Sequence, residues 1–247
     1  LRKMHLEMKK PVLFENGSGK RELHFYARTS GGTLVTSKDV AEVVSKCLQI
    51  PVKPAGATRM VIGKDYEKIV LKEDVRFRLL MGVARCAKEK ESVSGDSFSC
   101  MNLENGHGVL SISDGMGSGQ EAFNDSRHVM DLLEEFLEAG FSEETSVKLL
   151  HAVMMEQPEH QSFSTLDLSV IDLYDGSMQL VKMGGTATFI KSGNKVETIE
   201  AATLPVGMME QPETMFIKRQ LKDKDIVIMI SDGVVEGFGE QQGEKGN

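Results

Sequence analysis

The sequence predicts a layered α+β sandwich, in which mostly antiparallel strands are interrupted by one helical pair. Two observations predict it. Short apolar or alternating runs recur between residues 75 and 230, and residues 121–155 between them carry the spacing of two amphipathic helices joined at Gly140. A third observation is a change of character near residue 74, which sets a small N-terminal α/β appendage (1–74) apart from residues 75–247.

In the appendage, Leu23–Ala27 reads as a strand, and Thr36 or Ser37 caps a helix over Asp39–Leu48 with Val40, Val43, Val44 and Cys47 on one face. Pro51 and Pro54 end it, and Met60–Ile62 and Ile69–Leu71 are further strand candidates. Beyond residue 75, Arg76–Ala87, Ser97–Leu103 and Gly108–Ser113 read as strands. Helices are expected over Glu121–Leu137 and Ser142–Met155, the second with an N-cap serine and two glutamates in its first turn. Their apolar faces are Val129, Leu132, Leu133, Phe136 and Leu137, and Leu149, Leu150, Val153 and Met154. Ser164–Leu173 alternates, with Leu166, Leu168 and Val170 on one face and Thr165, Asp167 and Ser169 on the other. Gln179–Met183 and Thr186–Lys191 flank Gly184-Gly185, which reads as a tight hairpin, and Met215–Leu221 and Ile226–Ile230 complete the strands.

Composition narrows the function. A formal charge of −8 argues against a nucleic-acid groove, which needs a clustered basic face. No run approaches the ~20 apolar residues of a membrane span. Cys47, Cys86 and Cys100 are odd in number and lack CxxC spacing, which fits a reducing cytosol better than a disulfide framework; Cys86 reads as core. The chain starts at Leu1 without an initiator methionine and ends in a polar run, as a fragment of a longer protein would.

Two passages echo each other: Val109–Gly115 and Ile226–Gly233 are each an apolar strand ending in Ser-Asp-Gly. Each reads as a strand buried on both faces, which fixes a carboxylate at its end firmly, and the glycine after it lets backbone approach an ion. Asp-Gly alone makes turns. With Asp96, again beside a glycine at a strand start, Asp114 and Asp232 form a set able to converge on hard divalent cations, Mg²⁺ or Mn²⁺ rather than Zn²⁺. Competing chemistries fail. There is no HExxH and no GxSxG, and the six histidines, among them His128, His151 and His160, show no ligand spacing. Gly115-Met116-Gly117-Ser118-Gly119 is neither a Walker A loop nor a dinucleotide fingerprint, because Gln120 and Glu121 follow it. It could still present N–H groups to a phosphate ahead of a helix.

The ordered set Val93–Phe98, Ser113–Gly119, Ser164–Leu168 and Ser231–Gly233 resembles the stage II sporulation protein E family, within the metal-dependent, phosphatase 2C-like protein serine/threonine phosphatases. The likeness runs over about residues 76–238, and Asp-Gly-Met-Gly-x-Gly is its most diagnostic part. The resemblance implies an α/β/β/α sandwich of two mostly antiparallel sheets flanked by helices, and two Mn²⁺ or Mg²⁺ ions. It implies Asp96, Asp114 and Asp232 as catalytic metal ligands, Asp114 bridging the ions, with the Gly115 carbonyl as a further ligand. Water bridging the metals then attacks phosphorus directly, without a phosphoenzyme.

On the same resemblance, residues 75–247 are a phosphatase domain and 1–74 the end of a central regulatory region. The substrate is a phosphorylated anti-sigma-factor antagonist whose dephosphorylation activates a sporulation sigma factor. The domain is cytoplasmic, and the full-length protein sits in the cell membrane through segments outside this chain. A homodimer is compatible with this. A stress-pathway sigma-regulating phosphatase, or a non-catalytic scaffold of the same fold, is the alternative. The family's final Asp-Asp-x-Thr strand is not reached in the 15 residues after Asp232, so weak metal binding and low activity are expected of this fragment. Arg85 lies on a strand comparable to the one that carries a phosphate-holding arginine in eukaryotic relatives but is assigned to packing or solvation, and Asp223 and Asp225 to a solvated turn.

Overall fold

The computed structural model describes residues 5–15, 19–31, 34–56, 58–85, 94–156, 163–209 and 214–235. Cys86, Val93 and His160 lie outside them. The chain forms two compact units, Leu1–Arg76 and Phe77–Asn247.

The first unit is an antiparallel sheet in the order β1-β2-β4-β3, built from β1 (Leu6–Glu15), β2 (Arg21–Thr29), β3 (Val52–Pro54) and β4 (Glu67–Glu73), with α1 (Ser37–Leu48). Thr36 starts α1 with a reciprocal capping box: its hydroxyl accepts from the Asp39 N–H, and Asp39 accepts from the Thr36 N–H. Val40, Ala41 and Val44 of the helix join Phe25, Ala27, Ile69 and Leu71 in one core. Cys47, expected on the buried face, is exposed, and Ala41 takes that place. Strand β1 was not foreseen. Its Lys9-Lys10-Pro11 run lacks alternation, yet the pairing register shifts between Lys9 and Val12 and the strand lies at the sheet edge, where proline is tolerated. Met60–Ile62 is not a strand. Only Val61 bridges, to Thr36.

The second unit holds a five-stranded antiparallel sheet, β11-β8-β7-β6-β5, from β5 (Asp96–Asn102), β6 (His107–Asp114), β7 (Leu166–Asp172), β8 (Ser177–Met183) and β11 (Met215–Gln220). A three-stranded sheet, β10-β9-β12, comprises β9 (Thr188–Ser192), β10 (Lys195–Ile199) and β12 (Ile226–Met229). Helices α2 (Gly119–Glu138) and α3 (Glu143–Met155) follow β6 as expected, with Ser142 capping α3 through the Thr145 N–H. Val129, Met130, Leu133 and Leu137 of α2 and Val147, Leu150 and Met154 of α3 pack with Val109, Leu166, Leu168, Val170, Val181 and Met183. Alternation along the strands puts those six sheet residues on one face. His151 is buried and structural: its Nδ1 accepts from the Gly207 N–H, and its Nε2 bonds the Met209 carbonyl at 2.7 Å.

The α+β sandwich with antiparallel sheets is as the sequence predicted, but three further local expectations fail in the second unit. Gly184-Gly185 is not a hairpin, because β8 pairs with β7 and β11 whereas β9 pairs with β10 and β12. The glycines instead carry the chain from one sheet to the other, with Gly184 at φ +68°. Among the described residues, 76–85 form no strand. Apart from a Phe77 N–H to Leu173 carbonyl bond they gain no backbone ladder, and Leu80 is 99% exposed. An apolar composition does not make a strand without a neighbour to pair with. Finally, β12 is not buried on both faces, since Ile226 and Ile228 are about half exposed at 50% and 45%. No described helix is long and apolar enough to cross a membrane.

Candidate active site

Antiparallel pairing of β5 with β6 sets Asp96 directly opposite Asp114 at the end of the ladder. The main chain of Asp114 is clamped by Thr165, whose hydroxyl accepts the Asp114 N–H at 3.0 Å while its own N–H donates to the Asp114 carbonyl at 2.8 Å. The third carboxylate arrives from a distant segment. Asp232 opens a helical turn over residues 232–235 rather than ending a strand, and the hydroxyl of Ser231 beside it donates to Asp96 Oδ2 at 2.8 Å.

The three side chains are neighbours. The Asp114 carboxyl is pushed up to about 8, first by burial and then by the facing Asp232 and Asp96 carboxylates. They do not yet converge on one point: among the described residues no group of three or more His, Cys, Asp or Glu is arranged to hold an ion as it stands. The donor set nonetheless suits a hard divalent cation, being all carboxyl oxygen, with one member held far above the usual carboxylate range by burial and by its two acidic neighbours.

Gly115 is required sterically. A Cβ there would sit 1.9 Å from the Ala122 carbonyl oxygen, so only glycine lets α2 approach the end of β6. Helix α2 is fastened to the start of β5 by the Ser126 hydroxyl, which donates to the Gly95 carbonyl at 2.6 Å and lies 2.8 Å from the Ser97 hydroxyl. Gly117 and Gly119 take left-handed φ values of +101° and +75°, which turn the chain into α2, and Ser118 makes no side-chain cap. Arg85 donates to the carbonyls of Ser94 and Asp96 and lies over the Phe123 ring, so it holds the approach to Asp96 from outside.

Asp114 and Asp232 line a cavity of about 50 Å³ together with Thr165, Asp167, Gly185 and Ser231. Asp167, which the sequence places in a strand and a family motif without a site role, has Lys182 as its partner, a residue to which the sequence assigns no role at all. Both are buried, joined Nζ to Oδ2 at 2.7 Å, and burial raises the Asp167 carboxyl above its usual range against the lowering effect of the ammonium. The available signals were an aspartate within Leu166–Val170 and a lysine inside Leu180–Met183, both otherwise apolar stretches.

Residues 104–247 match the sequence model of the family described as Stage II sporulation protein E. The stage II sporulation protein E of Priestia megaterium is 42% identical over 156 residues, covering 63% of this chain and 27% of that protein. That of Bacillus subtilis (strain 168) is 34% identical over 202 residues, covering 82% and 24%. The chain thus spans about a quarter of the length of the curated relatives it matches. A solved structure of the PP2C phosphatase domain and a fragment of the regulatory domain of the Bacillus subtilis cell fate determinant SpoIIE superposes with a TM-score of 0.70 at 31% identity, covering 94% of this chain and 66% of that one.

Proposed function

Since this chain belongs to the stage II sporulation protein E family, we propose that it is a metal-dependent protein serine/threonine phosphatase in which Asp96, Asp114 and Asp232 are the catalytic metal ligands. The single observation that carries this reading is that the carboxylates of Asp96 on β5 and of Asp232 in the turn after β12 both neighbour that of Asp114 at the end of β6, with Asp114 and Asp232 lining one cavity. When bound, two divalent ions, Mn²⁺ or Mg²⁺, lower the pKa of water and neutralise phosphoryl oxygens. The chain's own part is to hold the ligands: Thr165 fixes the Asp114 main chain, Ser231 orients Asp96, and Gly115, lacking a Cβ, lets α2 pack against the end of β6. The start of α2, with no side-chain cap, offers backbone N–H groups to a phosphate ester. Water displaces the seryl oxygen from phosphorus, so no side-chain nucleophile is required.

Residues 75–247 are the phosphatase domain and 1–74 the end of a regulatory region. The substrate is phosphoserine on an anti-sigma-factor antagonist, whose dephosphorylation activates a sporulation sigma factor. The domain works on the cytoplasmic side of a membrane that the rest of the protein occupies. Phosphate release from a phosphoserine peptide, measured with and without Mn²⁺, tests the reaction. Asp114→Asn should abolish it, and an active variant would overturn the ligand assignment.

A second reading, a non-catalytic scaffold of the same fold, draws on the absence among the described residues of a ready three-ligand group. Mn²⁺ decides between them, because an ion bound only by the native state must raise the unfolding temperature.

A further inference from the structure

One carboxylate in the cavity wall stands outside the proposed ligand set. Asp167 lies on β7, with Ile112 of β6 opposite it on one side and Lys182 of β8 opposite on the other. It is 3% exposed and Lys182 0%. The ammonium donates to Oδ2 at 2.7 Å and to the Thr186 carbonyl at 2.5 Å. The other oxygen, Oδ1, is buried without a protein partner in a residue that lines the cavity with Asp114 and Asp232. It is packed so closely under Gly185 that a Cβ there would come within 2.0 Å of it.

Stability does not account for this arrangement. A buried ion pair is generally no better than apolar side chains of similar volume, and an unsatisfied buried oxygen makes it worse. Leu180, fully buried two residues along β8, shows that the same strand accepts an apolar side chain on that face. A buried oxygen without a protein partner, in a residue of the cavity wall, calls for a partner that is not protein.

We propose that Asp167 is a positioning residue of the site, its Oδ1 accepting a hydrogen bond from water beside Asp114 and Asp232 while Lys182 fixes its orientation. The inference rests on the phosphatase reading. Lys182 also ties Asp167 to the Asp232 segment, because the Thr186 hydroxyl donates to the Ile230 carbonyl just before Ser231. Groups of this kind, one shell beyond the ligands, typically tune metal affinity 10–100-fold.

The test removes both charges together. In the full 247-residue chain, Asp167→Leu with Lys182→Met should unfold within a few degrees of wild type. Mn²⁺ binding, read from the paramagnetic resonance of the free ion, should weaken about 10–100-fold. Turnover of a phosphoserine peptide should fall with little change in KM. Wild-type Mn²⁺ affinity and turnover in the double variant would overturn the proposal. Should that pair fail to fold, Asp167→Asn with Lys182→Gln keeps the volumes, and loss of fold there too would assign the pair to folding alone and overturn it. Wild type that neither binds Mn²⁺ nor releases phosphate would instead sink the phosphatase reading, and this inference with it.

Discussion

Replacing Asp114 with asparagine keeps the side chain's shape and removes its ionisation, so it separates what the site costs the fold from what it does for the reaction. The folded-state carboxyl titrates at about 8, against an ordinary value near 4 in the unfolded chain. A raised folded pKa gives stability that is complete below the unfolded value and is lost as pH rises through the window from about 4 to about 8, since the folded protein keeps a proton that the unfolded chain releases. Each pH unit in that window costs at most about 1.4 kcal/mol, so the ceiling is about 4 kcal/mol at pH 7 and about 1.5 kcal/mol at pH 5, and solvent screening at this half-buried carboxyl brings the effect below that ceiling. Without divalent ions, Asp114→Asn should therefore be more stable than wild type at pH 7. The corresponding ceiling on its melting temperature is roughly 8–16 °C higher for a unit of this size. The advantage should shrink toward pH 4. Adding Mn²⁺ should reverse the order, because wild type gains about 2.7 kcal/mol at a hundred times its dissociation constant while the variant gains little. The assay is urea or thermal unfolding with EDTA and with Mn²⁺ at a series of pH values. An ion-free variant less stable than wild type at pH 7, or an advantage that does not change with pH, would refute the reasoning.

Gly115→Ala drives a methyl group against the backbone of Ala122, with 1.9 Å to its carbonyl oxygen. It should lose about 2 kcal/mol or more of unfolding free energy, read from the urea midpoint, together with phosphate release. Leu150→Ala empties a fully buried position between α3 and the large sheet. It should cost about 2–5 kcal/mol in the same measurement. Thr36→Ala removes the hydroxyl that accepts the Asp39 N–H at the start of α1 and leaves the Thr36 N–H on the Asp39 carboxylate. It should lower the stability of the N-terminal unit by about 1 kcal/mol, visible in hydrogen exchange of the α1 amides.

How much was legible depends on the range of the signal. The helical pair, the caps at Thr36 and Ser142 and most strands follow from periodicity and local hydrogen bonding, and the structure places them within a few residues of expectation. The same local signals misled where pairing decides. Gly184-Gly185 joins two sheets instead of turning a hairpin, Arg76–Arg85 has the composition of a strand but no ladder, and β1 forms at an edge despite Pro11.

By itself, the sequence determined the α+β class, the family, and the three aspartates set beside glycines. It could do so because helix periodicity, strand alternation and a short motif are all written over fewer than twenty neighbouring residues. Only the tertiary structure decided that Asp96 faces Asp114 across a ladder, that Asp232 reaches them from a turn after β12, and that Asp167 and Lys182 are buried together at the cavity wall. Strand register and burial are set by partners far away in the chain. A lysine within Leu180–Met183 looks like any surface lysine until both faces of its sheet are seen to be covered.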